Sequence, residues 1–149
     1  MASNIFNSAL NSILDQSLDL VNDDIRARLC MTNTTCDTEK DGIDNISDIT
    51  TVDVCDATGY ADVALANEAI AVDDANDRSE FDADNVSFTG LSGDATRDAQ
   101  GVLLYAYVDG TDANDIPVAF IDFTADITSA ATQVDVPWDA QGILQLSQA

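Results

Sequence analysis

Apolar residues recur along this chain in two rhythms. Over residues 5–14 they fall three and four apart: Ile5, Phe6, Ala9, Leu10, Ile13 and Leu14, with Asn7, Ser8, Asn11 and Ser12 between them. That is the period of a short amphipathic helix, and Ser3 or Asn4 stands where its N-cap belongs. Further on, the rhythm changes to two. Ile25, Ala27, Leu29 and Met31 alternate with Arg26, Arg28 and Cys30, predicting a half-exposed strand whose outer face carries two arginines. Residues 66–72, 85–91, 133–138 and 143–146 read as further strands. In the second, Val86 and Phe88 point inward and Ser87 and Thr89 outward; in the third, Val134, Val136 and Trp138 share a face.

The most apolar stretch is a β-hairpin over residues 102–123. Its first arm, 102–108, is apolar at every position, as a central strand covered on both faces would be, either by the rest of the domain or by another subunit. An Asp/Gly/Asn turn over 109–115 leads to the second arm, 116–123. Pro117 stands at its start, where a missing N–H costs little, and Asp122 near its end predicts that this end reaches a rim. Five strands within about sixty residues, joined by short turns, predict a mainly β fold. The expected architecture is an antiparallel meander forming a β-sandwich or open barrel, with a short N-terminal helix or arm over residues 1–20. Residues 32–60, rich in Thr, Asp and Asn, read as a long surface excursion. Within it, Ile43, Ile46 and Ile49 are spaced for one helical turn against the body. The whole, 1–149, is expected to be one domain.

Charge changes the picture most. There are 28 acidic residues against 5 basic, a net charge of −23, and Lys40 is the single lysine. Such a surface repels phosphate backbones, so nucleic acid is not an expected partner. Copies of the chain also repel one another unless salt shortens the Debye length, and Asp-rich, Lys-poor composition points to a halophilic or marine source. No apolar run reaches membrane-spanning length and no signal-peptide pattern opens the chain, so no membrane partner is expected.

Histidine is absent, which removes the usual nucleophile–imidazole pairings. No glycine-rich phosphate loop occurs, and carboxylates are too many for any one pair to mark a glycosidase. No enzyme activity, cofactor or metal site is expected. Residues 73–84 first look like a calcium loop, but they lack the turn glycine and place Arg78 where a ligand is needed. Three cysteines, Cys30, Cys36 and Cys55, leave two readings open. A bridge from Cys55 to Cys36 or Cys30 would add ~3 kcal/mol by closing a loop of about two dozen residues; alternatively all three are free thiols.

The order of motifs resembles small virion proteins of tailed double-stranded DNA viruses. The matching stretches are Ile25–Met31, Asp84-Asn85-Val86-Ser87-Phe88, Gly101-Val102-Leu103-Leu104-Tyr105, Pro117-Val118-Ala119-Phe120-Ile121-Asp122, and Val134-Asp135-Val136-Pro137-Trp138-Asp139 through Gly142-Ile143-Leu144. They span most of the chain beyond residue 20. The resemblance implies a structural protein located on the virion capsid surface: a capsid decoration (cement) protein with the major capsid protein as partner. The alternative is a tail, fibre or vertex turret component with a host-surface binding role. Residues 32–60 depart from the pattern, being longer and richer in cysteine. The helix face and the hairpin supply the candidate oligomer or capsid contacts: Ile5, Phe6, Leu10, Leu103, Tyr105 and Tyr107. The apolar hairpin predicts a homo-oligomer, with a trimer favoured for a three-fold point of the shell and a pentamer as rival.

Overall fold

The computed structural model describes residues 2–92, 96–128 and 130–147. The fold is mainly β, built of antiparallel sheets with one short helix, as the alternation predicts. In chain order its elements are β1 (Ala2–Ile5), α1 (Asn7–Leu14), β2 (Ile25–Met31), a 3₁₀ turn (Ile46–Asp48), β3 (Val63–Ala64), β4 (Ala69–Asp73), β5 (Arg78–Asp82), β6 (Val86–Thr89), β7 (Ala99–Ala106), β8 (Ile116–Ile127), β9 (Gln133–Val136) and β10 (Leu144–Ser147). Three sheets form among the described residues, ordered β1-β8-β7-β2-β3, β10-β5-β4 and β6-β9, and none closes into a barrel.

The main sheet is organised by β7, third of its five strands and apolar enough to be covered on both sides. Val102, Leu103 and Leu104 are each 0% exposed. The chain supplies both covers itself. On one face Cys30 meets Cys36 of the excursion, and Arg28 reaches Asp62 and Asp112. On the other, Leu29 and Met31 line a small cavity with Leu91 and Val134, while Ile121 lies beside Trp138 and Ile143. Gly101 lets β7 and β8 approach here. A Cβ on it would stand 2.5 Å from the Ile121 carbonyl oxygen and 2.6 Å from the Phe120 ring, and the ladder shifts register beside it.

Three sequence expectations are corrected. Residues 2–5 are not a helix start: they pair with β8, Ile5 opposite Ala119, and the helix begins only after Phe6. Edge pairing satisfies backbone groups that a first helical turn leaves open. The meander is also replaced, because among the described residues only β2-β3, β4-β5 and β7-β8 are neighbours both in sequence and in a sheet. β6 pairs with β9 across the β7-β8 hairpin, and β10 returns to β5. Thirdly, β5 is a strand the sequence reading does not include, lying in the stretch 73–84 that first looks like a calcium loop, and in it Arg78 and Glu80 alternate with Ser79 and buried Phe81. The excursion has few regular elements, yet Ile43, Ile46 and Ile49 are buried as their spacing predicts. Its 3₁₀ turn is held by a capping box between Asn45 and Asp48. The turn that Leu91-Ser92-Gly93-Asp94 signals in the sequence falls partly on Gly93 and Asp94, which lie outside the described residues.

Candidate interaction surface

The β10-β5-β4 sheet has two unlike faces. Register places Ile70, Phe81 and Leu144 in one row and Val72, Ser79 and Leu146 in the next, all on one side. The other side carries Ala71, Glu80 and Gln145, with Arg78 bridging to Asp73 at 3.1 Å and Glu80 at 2.7 Å. Helix α1 lies against the inner part of the apolar side, and between them runs a groove of about 60 Å³ with walls that include Ile5, Leu10, Ile13, Ile70 and Phe81. The cover is incomplete. Phe81 and Leu144 are 4% exposed, but Ile70 is 58%, Val72 72% and Leu146 47% exposed, and Leu14 on α1 is 82% exposed.

The rim of this face is acidic. Asp19 lies beside Ile70 at one margin, and Asp74 and Asp77 lie beside Val72 and Leu146 at the other. Asp19 is held below the usual carboxylate range by the Asn22 side chain and the Val21 N–H. Asp73 is likewise lowered, chiefly by Asn76 and then by Arg78. The face therefore combines aliphatic side chains in water with fixed negative charge around them, an arrangement typical of a docking surface rather than of a site for bond chemistry.

A second polar cluster lies on the main sheet. The Asp62 carboxylate accepts from the Tyr60 hydroxyl at 2.6 Å, the Tyr105 hydroxyl at 2.7 Å and Arg28 Nε at 3.0 Å. Arg28 Nη1 donates to Asp112 at 2.8 Å, and the guanidinium stacks 4.8 Å over the Tyr105 ring. Burial, joined by the negative Asp62, raises both phenols above their ordinary range. They stay protonated donors. Burial works against the Arg28 charge, but Asp112 and Asp62 outweigh it and raise its pKa. Each member is occupied by the others, so the cluster clamps the 60s loop and the 109–115 turn to β2 and β7.

The predicted contact residues divide between these regions. Leu103 is 0%, Phe6 0% and Tyr105 2% exposed, so all three belong to the chain's own interior and cannot touch a partner; this corrects the expectation. Tyr107 is half-buried under Arg26, whose guanidinium lies 3.5 Å from the ring centroid. Ile5 and Leu10 do line the groove. Sequence reasoning missed Ile70, Val72 and Leu146. Their alternation was legible, but nothing in it tells an inward face from an outward one on a strand whose partners come from residues 78–82 and 144–147.

All three cysteines are buried and none is in a disulfide. Cys30 is pushed well above the usual thiol range by its hydrogen bond to Cys36 and by burial, and Thr34 Oγ1 donates to the Cys36 sulfur at 3.1 Å. Among the described residues no group of three or more Cys, Asp or Glu is placed to hold a metal ion, and no helix is long and apolar enough to cross a membrane. Comparison with protein-family models, with curated proteins and with solved structures finds no match.

Proposed function

We propose that this chain is a structural virion protein, a decoration (cement) protein on the outside of a tailed-virus head that stabilises the shell through contact with the major capsid protein. What supports the reading, beside the resemblance of its motifs, is the exposed aliphatic face of β4, β5 and β10 on an otherwise acidic body. A cement protein needs one surface for the shell and another that stays in water, and Ile70, Val72 and Leu146 provide the first while the carboxylates provide the second. The reading keeps a ring of copies, three at a three-fold point or five at a vertex, because several weak footings act as one strong attachment. The hairpin does not join the copies, since the chain covers it.

The test is a density map of intact virus particles together with attachment of purified chain to heads stripped of it, in molar salt. Density on the head surface, and heads that resist heat better with the chain bound, are expected. Density on the tail or its fibres, or absence from the particle, would overturn the reading. Light scattering in molar salt gives the mass of the ring, and a single copy both in solution and on the particle removes it.

A further inference from the structure

We propose that the outer edge of β4 is a strand-addition site for an extended, basic segment of the shell protein, with apolar residues at alternate positions. This rests on the docking role proposed for the same face. Within β10-β5-β4 the outer side of β4 pairs with no strand among the described residues. Proteins commonly protect such an edge with a lysine, a proline, a bulge or an inward charge. Residues 69–72, Ala-Ile-Ala-Val, have none of these, and the β4-β5 ladder runs without a register shift. The two large side chains point the same way and are the exposed ones, Ile70 at 58% and Val72 at 72%. A strand added alongside would cover both with residues two apart, while Ala69 and Ala71 leave the opposite face uncrowded.

Charge selects the occupant. Glu68 precedes the strand, Asp74 and Asp77 follow it, and none of them pairs with a cation among the described residues. The four arginines Arg26, Arg28, Arg78 and Arg97 are each bound to the chain's own carboxylates. A second copy of β4 would bring the same acidic ends to this edge on a body of net charge −23, and is disfavoured. A segment with Lys or Arg at its ends is attracted to both margins and kept in register by them. Five residues of β4 at about 3.4 Å each accommodate a partner of roughly five to seven residues.

The test uses a fluorescein-labelled peptide, Lys-Val-Thr-Val-Thr-Val-Lys, against Lys-Val-Val-Val-Thr-Thr-Lys, which has the same composition and charge without alternation. Fluorescence anisotropy with the full chain should show at least tenfold tighter binding of the alternating peptide, weakening as salt rises, with amide exchange slowed over Ala69–Asp73. Val72→Lys should abolish the preference and Val72→Thr should retain most of it, with melting temperatures unchanged because the side chain is exposed. Equal binding of the two peptides, or protection elsewhere, would overturn the proposal; so would protection of β4 by self-association without peptide. Attachment to virus heads is scored separately. If Val72→Lys loses the peptide yet decorates heads normally, the strand-addition site fails and the virion reading stands. If the peptide binds as expected and the chain does not attach to heads, the virion reading fails alone.

Discussion

Individual carboxylates do unlike jobs in this very acidic chain. Asp115 is 0% exposed, and its Oδ1 accepts from the backbone N–H groups of Val108 at 2.8 Å, Asp109 at 3.2 Å and Gly110 at 3.3 Å. Its backbone carbonyl also receives the Ile46 N–H at 3.0 Å, tying the excursion to the hairpin turn. Asp115→Ala should therefore cost about 3 kcal/mol in denaturant unfolding, because three amides lose a charged acceptor; Asp115→Asn, which keeps one oxygen, should cost less. Asp122 is the opposite case. Burial first, then the neighbouring Asp37 and Asp126, raise its pKa above the ordinary value. A raised carboxylate favours the folded state only while protonated, and that contribution disappears as pH rises through the folded pKa. At pH 7 the charge is a burden, so Asp122→Asn should melt higher than the parent. The difference should vanish near pH 3, where both are neutral; equal melting temperatures at pH 7 would show that the carboxylate is fully hydrated there.

Among the elements, β7 and β8 carry the core. Phe120 is 1% exposed on β8, opposite Leu103 and against Gly101. Truncation to alanine should cost about 3–5 kcal/mol, read from the denaturant midpoint at unchanged slope. The β4-β5-β10 unit should respond differently. Its outer strand has four exposed residues and a half-buried Asp73, so substitutions at Ile70 or Val72 should leave the melting temperature nearly unmoved while altering attachment. Strand β5 remains in place because Arg78 joins Asp73 and Glu80 on the polar face while Phe81 anchors the other.

At the scale of the molecule, electrostatics and packing oppose one another. A net charge of −23 repels itself over a Debye length of about 10 Å at 0.1 M salt, but only ~3 Å at 1 M. The melting temperature should therefore rise steadily from a few tens of millimolar to molar salt, and a flat profile would remove the high-salt reading of the composition. Packing around the central strand is already complete inside one copy. The apolar hairpin, which by itself asks for a neighbouring subunit, is covered by residues 32–60 on one face and by β6, β9 and Trp138 on the other. Surface left for a partner lies instead on the smaller sheet.

What the sequence alone determined follows from periodicity and composition. The extent of β2, the alternation Val86/Phe88 and Val134/Val136, the central place of 102–108, the burial of Ile43, Ile46 and Ile49, and the acidic surface are all local properties, because a side chain's neighbours two or three residues away settle which face it shares. Tertiary structure decided what depends on distant pairings. Residues 2–5 became an edge strand because β8 offered backbone partners, and the polar run 78–82 became a central strand because β4 and β10 flank it. Leu103, Tyr105 and Phe6, which the sequence set apart as contacts, went inside, while Ile70 and Val72, which it did not single out, stayed in water. Hydrophobicity orders residues by their wish to leave water; only the count of faces and covers in the folded chain determines which of them are left over.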